Sequence, residues 1–138
     1  MRIKDKNYFK IPNAIFSLDL SAKAIALYSF LLKCENRKDF TCYPSYGVIG
    51  RAIKSCANTI RVYVNELVDK KLIEVTPTKI LRRGKVQNGN LKFRILPIEV
   101  AVKFFDEEQM RRLREENTRI KVQRSLEKFD AKRAKTSR

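Results

Sequence analysis

Residues 43–75 read YPSYGVIGRAIKSCANTIRVYVNELVDKKLIEV, and the rest of the chain is arranged around this stretch. Ser45 is placed to cap a first short helix, because its hydroxyl can accept a hydrogen bond from a free amide of the next turn. Ile49, Ala52 and Ile53 follow at helical spacing, which predicts one buried stripe. The first part of the stretch is therefore predicted to be a short amphipathic helix.

A second helix is predicted from about Ala57 to Lys70, after the three residues Lys54–Cys56. So short a connection leaves room only for a tight turn. The inner face of the second helix is apolar, and it is formed by Ile60, Val64 and Leu67, with Tyr63 and Val68 on its flanks. The stretch therefore predicts two helices that pack against a shared core.

The outer face of the second helix carries an unusual set of side chains. At about 100° per residue, Asn58, Val62 and Asn65 point away from the core, and Arg61 lies beside them. A solvated helix face usually carries Glu and Lys. Asn can pair with adenine, Arg with guanine, and a small apolar side chain can contact a thymine methyl. This composition is typical of a helix that reads the major groove.

The same stretch resembles a helix-turn-helix of the winged-helix type. The resemblance is carried by five segments, Tyr8–Pro12, Leu20–Ala24, Ile49–Ile53, Cys56–Ile60 and Leu67–Ile73. It covers residues 8–96 and is closest to winged-helix proteins of Gram-positive bacteria and their phages, plasmids and conjugative elements, including the N-terminal domains of replication initiators. The resemblance implies an α+β, mainly α, winged helix-turn-helix fold that binds DNA.

Three residues depart from that family pattern. Gly is usual at the position of Lys54, and a Lys with positive φ costs on the order of 1 kcal/mol. Cys56 occupies the N-cap slot of the second helix, where Ser or Thr is usual and caps better. Gly47 lies inside the first helix, where it costs up to about 1 kcal/mol relative to Ala. These departures predict a locally weakened turn.

The strongly positive charge of the chain indicates an anionic partner. It has 138 residues, a net charge of +16 and a sequence pI near 10.1. Nucleic acid is the first candidate for such a partner, and an anionic membrane surface is the second. No apolar run approaches the roughly 20 residues that span a bilayer. The first twelve residues, MRIKDKNYFKIP, lack the apolar core of a signal peptide. We therefore expect a cytoplasmic protein that does not act on membranes.

The cysteines and acids give no sign of a metal site or an active site. The three cysteines are widely spaced and there is no histidine, which favours free thiols over zinc ligands or disulfides. No nucleophile motif, phosphate-binding glycine loop or carboxylate cluster is present. The sequence therefore predicts a protein that is not an enzyme, with no metal, no cofactor and no evident small-molecule ligand.

A wing is predicted after the second helix, where the apolar period changes from 3.6 to 2. Ile73–Val75 and Leu91–Ile95 are expected to pair as strands, and Tyr8–Ile11 is expected to supply a third strand. The Asn88-Gly89 pair predicts a hairpin tip within residues 84–90. Between Glu74 and Glu99 there is no acidic residue, and a flexible basic loop is expected to carry Lys79, Arg82, Arg83 and Lys85.

The chain is expected to divide into a winged helix-turn-helix domain (residues 8–96), a C-terminal helical extension (98–132) and a basic disordered tail (133–138). A buried spine helix, Ala22 to about Cys34, begins the domain after Ser21. The extension is predicted as a short helix over residues 99–105 and a longer one from Asp106, with ion pairs Glu107–Arg111, Glu108–Arg112 and Glu115–Arg119. Three arrangements remain open for it: packing on its own domain, homodimerisation, or a helix free in solution.

The leading functional hypothesis is a double-stranded DNA-binding protein. Asn58, Arg61, Val62 and Asn65 are expected to read bases, and the backbone phosphates are expected to contact Arg51, Lys54, Ser55 and Thr59, together with the wing residues Lys79, Arg82, Arg83 and Lys85. The resemblance implies an operator- or origin-binding accessory factor of a mobile element, with roles in transcription and in replication or transfer about equally favoured. The alternative is a docking winged helix in a replication or transfer complex that has only non-specific affinity for DNA.

Overall fold

The computed structural model describes residues 7–136 of the chain. The chain divides between Phe104 and Phe105 into two compact units. The helices are a 3₁₀ helix (Asn13–Ser17), α1 (Ala22–Cys34), α2 (Tyr46–Ile53), α3 (Ala57–Asp69) and α4 (Ile98–Thr136). The strands are β1 (Thr41–Cys42), β2 (Ile73–Thr76), β3 (Lys79–Arg82), β4 (Lys85–Asn88) and β5 (Lys92–Ile95).

Helix α1 is the buried spine of the first unit, with the bounds that the sequence predicts. The Ser21 hydroxyl caps it by accepting from the Ala24 amide at 3.3 Å. Its buried side chains are Ala24, Leu27, Tyr28 and Leu31. Tyr28 is 1 % exposed, and burial raises the pKa of its phenol to about 12. This helix provides the surface on which the next two helices pack.

Helix α2 begins where the sequence predicts, because the Ser45 hydroxyl accepts from the Val48 amide at 3.1 Å. Ile49 is fully buried, but the predicted stripe is narrower than expected. Ala52 is exposed and Ile53 is only half-buried. The helix has only eight residues, so one fully buried side chain anchors it.

The sheet of the first unit has the strand order β1-β5-β2, and all its pairs are antiparallel. The prediction that Tyr8–Ile11 supplies the third strand is wrong, because Thr41–Cys42 takes that place opposite Arg94 and Phe93. With β1 on one edge of β5 and β2 on the other, no edge of β5 remains for the N-terminal segment. The buried core lies between this sheet and the helices, and it includes Leu72, Ile73, Phe93 and Ile95.

The wing is a regular hairpin and not the flexible loop that the sequence suggested. Strands β3 and β4 pair over four residues each, and Arg83-Gly84 form a two-residue turn. Both turn residues have positive φ, 52° and 73°, which is the geometry of a type I′ turn. The tip therefore lies at the start of the predicted 84–90 interval. Gly89 lies instead at the base of the hairpin, where its amide donates to the Thr78 carbonyl at 2.9 Å.

Helix α4 is continuous through the break that the sequence predicted near Asp106. Its first turns belong to the first unit, where Ala101 is buried and the Lys71 ammonium lies 5.6 Å from the centre of the Phe104 ring. It continues past Lys132 to Thr136, so part of the predicted disordered tail is helical, and residues 137–138 lie outside the described range.

The second unit is a single helix whose ion pairs differ from the predicted ones. The Arg111 guanidinium contacts Glu108 at 2.8 Å and Glu115 at 2.9 Å, and Arg119 contacts Glu116 at 3.5 Å. A forked guanidinium can reach acids one turn away on both sides, so Arg111 uses two partners, neither of which is Glu107. These pairs are exposed and contribute little to stability.

Candidate nucleic-acid interface

The two faces of α3 differ as the sequence predicts. Ile60, Val64 and Leu67 are buried against the core. On the opposite side Asn58, Arg61 and Asn65 are exposed, and the Val62 side chain is 62 % exposed. All four predicted base-reading residues therefore share one solvent-facing surface, with no acidic side chain among them.

The turn between α2 and α3 is tight and is closed by backbone hydrogen bonds. Lys54 ends α2 in the left-handed conformation, with φ 53° and ψ 57°. The amides of Lys54 and Ser55 both donate to the Gly50 carbonyl, the second at 3.0 Å. A Lys here carries the strain predicted from the sequence, and the side chains of Lys54 and Arg51 are both exposed.

Two contacts from the start of α1 fix this turn and α3, and no pattern in the sequence indicates them. Glu66 of α3 accepts from both the backbone amide and the hydroxyl of Ser21, each at 3.0 Å. The Lys23 ammonium donates to the Ser55 hydroxyl at 3.2 Å, and that hydroxyl donates to the Ile53 carbonyl at 3.4 Å. Ser55, a predicted phosphate contact, thus already has partners within the protein. Lys23 and Ser55 are 32 positions apart in the sequence, and Ser21 and Glu66 are 45 positions apart. Helical or strand periodicity could not reveal contacts over such separations.

Cys56 and Thr59 lie together at the first turn of α3. Cys56 makes no side-chain cap hydrogen bond, as its weak capping ability predicts. Its sulfur lies 3.2 Å from the Thr59 hydroxyl oxygen. The contact with the Thr59 hydroxyl and the proximity of the backbone amides of this turn lower the pKa of the Cys56 thiol. The free amides of a helix start and its dipole both favour an anion at this end, whether thiolate or phosphate.

The wing base lies against the helix-turn-helix. An open cavity of about 290 Å³ is lined by residues from both parts, including Tyr46, Arg61, Gly89 and Asn90. The Asn90 side-chain amide donates to the Tyr43 carbonyl at 3.2 Å. The exposed face of α3, through Arg61, and the base of the wing therefore border the same cavity of the first unit.

The wing presents its predicted cations to solvent. Arg82, Arg83 and Lys85 are exposed around the turn. Lys79 is nearer the base, and its ammonium donates to the Asn88 side chain at 2.6 Å. In the three-stranded sheet, Arg94 of β5 pairs with Glu74 of β2 at 3.4 Å. Since no acid occurs between Glu74 and Glu99, the tip has no nearby anion in this part of the sequence. It is suited to contact phosphates.

The described residues offer no group of three or more Cys, Asp or Glu side chains arranged to hold a metal ion. Within residues 7–136, no helix has the length and apolarity needed to cross a membrane. What the surface offers chemically is hydrogen-bonding amides, guanidinium groups and ammonium groups, which are suited to bind an anionic partner.

Comparisons with known proteins agree with this geometry. Residues 18–73 match the family described as "Helix-turn-helix domain". A solved structure described as "Possible transcriptional regulator from Methanosarcina mazei Go1" is similar, with a TM-score of 0.50 and 14 % identity. The alignment covers 80 % of this chain and 95 % of that one. No curated protein matches the chain. The family match supports a helix-turn-helix DNA-binding domain in residues 18–73, and the structural match shows a shared fold.

Proposed function

We propose that this chain binds double-stranded DNA, with α3 in the major groove and the wing on the adjacent backbone or minor groove. The observation that carries the proposal is the single exposed face of α3 formed by two amides, one guanidinium and one apolar side chain. In the proposed complex Asn58, Arg61, Val62 and Asn65 contact base edges. The phosphates contact Arg51, Lys54, Ser55 and Thr59, and Lys79, Arg82, Arg83 and Lys85 of the wing.

The proposed role is an operator- or origin-binding accessory factor, active in transcription control or in the replication or transfer of a plasmid, phage or conjugative element. The transcriptional branch is favoured by the structural neighbour, which is described as a possible transcriptional regulator. The mobile-element branch is favoured by the resemblance of residues 8–96 to proteins of such elements. Either role agrees with the expected cytoplasmic location. We also propose that two copies bind together through the helix of the second unit, since paired half-sites require a two-fold arrangement.

Selection of bound duplexes from a random library, at two salt concentrations, tests the DNA-binding proposal. We expect the full chain to select a defined motif that persists at the higher salt concentration. Asn58→Ala/Arg61→Ala should abolish the motif, because each bidentate base contact is worth about 1–3 kcal/mol of discrimination. The matched control is Asn13→Ala/Arg37→Ala, which makes the same two chemical changes at exposed positions outside α3 and the wing, and it should preserve the motif.

Motif-free binding that disappears at the higher salt concentration would contradict sequence reading and favour the docking alternative. Neutral substitutions in the wing separate the two functions further. Arg82→Gln/Arg83→Gln should weaken DNA binding and reduce the slope of log affinity against log salt by about 0.9 for each phosphate that is no longer neutralised. A docking interface elsewhere on the chain would be unaffected by the same change.

A further inference from the structure

The tip of the wing has two chemically different faces. Side chains alternate along each strand, so the register assigns them to faces in cross-strand pairs. Arg82 lies opposite Lys85 on one face, and Leu81 lies opposite Val86 on the other. One face of the tip is therefore cationic and the other is apolar.

The cationic face is unfavourable in the isolated chain. Like charges directly opposite each other on neighbouring strands destabilise the pairing, and Arg83 adds a third positive charge in a left-handed conformation. No acidic residue follows Glu74 until Glu99 to offset them. A bound polyanion would remove this repulsion, which identifies the partner of the tip as anionic.

Exposure of the apolar face to water is also unfavourable. Leu81 is 75 % exposed and Val86 is 70 % exposed. The pair beside a two-residue turn, here Arg82 and Lys85, is hydrogen-bonded. Leu81 and Val86 form the next pair, which is not hydrogen-bonded, and the side chains of such a pair approach each other more closely. They form a single apolar ridge. Ile80, on the opposite face, lies nearer the base, where its Cγ2 would be 3.0 Å from a Cβ at position 89.

A partner that matches both faces of the wing tip has phosphates close to a narrow apolar site in which an aliphatic side chain can be buried. We infer that the wing tip enters the minor groove of duplex DNA and that Leu81, supported by Val86, is inserted as a wedge at a base step. Arg82 and Lys85 then hold the flanking phosphates. Apolar wedges of this kind partly unstack the step and bend the duplex by roughly 20–90°. This inference rests on the proposed function and adds DNA bending to it.

The position of the wedge also predicts a sequence preference outside the α3 contacts. Pyrimidine–purine steps are the most easily unstacked and kinked. The selected motif should therefore contain such a step in the flank that the wing reaches. The preference arises from the deformability of the DNA, so no hydrogen bond from the wing to a base is needed.

The test uses the full chain and the selected duplex. Dye labels at the two ends report bending by energy transfer, and 2-aminopurine placed in turn at each flanking position reports unstacking. The wild type should bend the duplex and raise 2-aminopurine fluorescence at one step. Leu81→Thr/Val86→Thr keeps the charge of the wing and places β-branched residues, which favour strands, at both positions. It should therefore bind with an unchanged salt slope while losing both the bend and the fluorescence increase.

Two control variants locate the effect. Ile80→Thr alters the third exposed aliphatic residue of the hairpin and should leave bending and fluorescence as in the wild type. Arg82→Gln/Lys85→Gln should lower affinity and reduce the salt slope by about 0.9 for each phosphate that is no longer neutralised. If the wild type binds the duplex without bending or unstacking it, the wedge proposal is wrong but the DNA-binding proposal stands. The same conclusion follows if the threonine variant bends the duplex as the wild type does. Failure of the wild type to bind any duplex would overturn both proposals.

Discussion

Gly50 and Gly47 lie three residues apart in α2, and the structure gives them opposite roles. A Cβ at position 50 would lie 2.6 Å from the Ser55 carbonyl oxygen and 3.4 Å from Cδ1 of Ile60. A Cβ at position 47 would meet only the Ser45 hydroxyl, at 3.7 Å. The absence of a side chain at Gly50 therefore allows α2, the turn and α3 to approach closely, whereas Gly47 contributes only flexibility.

Alanine substitutions at these two glycines should change stability in opposite directions. Gly50→Ala should lower the free energy of unfolding by about 1–3 kcal/mol, because the backbone must shift to accept the methyl group. Gly47→Ala should raise it by up to about 1 kcal/mol through helix propensity. Urea denaturation followed by circular dichroism measures both values. Equal effects of the two substitutions would contradict the close approach at Gly50.

The three cysteines should differ in their rates of alkylation near neutral pH. Cys56 is exposed, and its contact with the Thr59 hydroxyl, together with the nearby backbone amides, lowers its pKa, which increases the thiolate fraction. Burial raises the pKa of Cys34, and it raises the pKa of Cys42 to about 12. Mass spectrometry after limited iodoacetamide treatment should therefore find the order Cys56, Cys34, Cys42.

The same reaction provides a footprint of the interface. Bound duplex should protect Cys56, because it lies at the proposed DNA surface. Cys34, at the end of α1, serves as the internal control and should react at an unchanged rate. Protection of both thiols to the same degree would indicate general shielding and not a specific interface.

At the scale of elements, the hydrogen bonds from Ser21 to Glu66 connect the start of α1 to α3. The Glu66 carboxylate accepts from both the amide and the hydroxyl of Ser21, the residue that caps α1, while the Glu66 backbone belongs to α3. Hydrogen bonds to a charged group contribute about 1.5–3 kcal/mol when the site is partly buried. Loss of these bonds should thus affect both the stability of the unit and the position of the proposed DNA-reading face of α3.

A double-mutant cycle with Ser21→Ala and Glu66→Ala measures that connection. We expect a coupling energy of about 0.5–3 kcal/mol in thermal or urea unfolding, since the two side chains are in direct contact. Glu66→Gln should retain most of the DNA affinity that Glu66→Ala loses, because an amide oxygen can still accept from Ser21. Additive effects in the cycle would show that the contact does not bind the two helices together.

The helices could be predicted from the sequence because their information is local. Ser21 and Ser45 cap the helices as expected, and the buried face of α3 follows from its apolar period. The third strand could not be predicted, since Thr41–Cys42 is too short to show alternation and is defined by pairing with β5. The exposed face of α3 was found from its composition, whereas Lys23 and Glu66 depend on distant contacts and leave no periodic trace. The base-reading and phosphate-contacting roles themselves remain predictions.

At the scale of the whole molecule, most of the net positive charge belongs to the larger unit, which carries the helix-turn-helix, although the net charge per residue is similar in the two units. Residues 105–138 contain eleven Lys and Arg against seven Asp and Glu, whereas residues 1–104 contain twenty against eight. The first unit therefore supplies most of the electrostatic attraction for DNA. With six to ten phosphate contacts, affinity should fall by roughly 10³–10⁵ between 50 and 200 mM salt.

The exposed apolar residues of the second unit form two short groups on opposite sides of the helix. Met110, Leu113 and Ile120, with Asn117 between them, have the alternating spacing of three and four residues of a coiled-coil seam. Val122, Leu126 and Phe129 face the other way at about 100° per residue. The first group is shorter than the roughly three or four heptads that sustain a coiled coil, so pairing through it should be weak in free solution.

We therefore expect the full chain to be monomeric at low micromolar concentration and to bind as two copies only when DNA holds the copies side by side, which raises their effective concentration. Sedimentation should detect a monomer alone and two copies on a selected palindrome. Met110→Ser/Leu113→Ser should abolish the two-copy complex but preserve binding to one half-site, while the control Leu126→Ser/Phe129→Ser should preserve both. Because these residues are exposed, none of the variants should unfold the first unit. A stable dimer without DNA, or loss of pairing only in the control, would assign the contact to another surface.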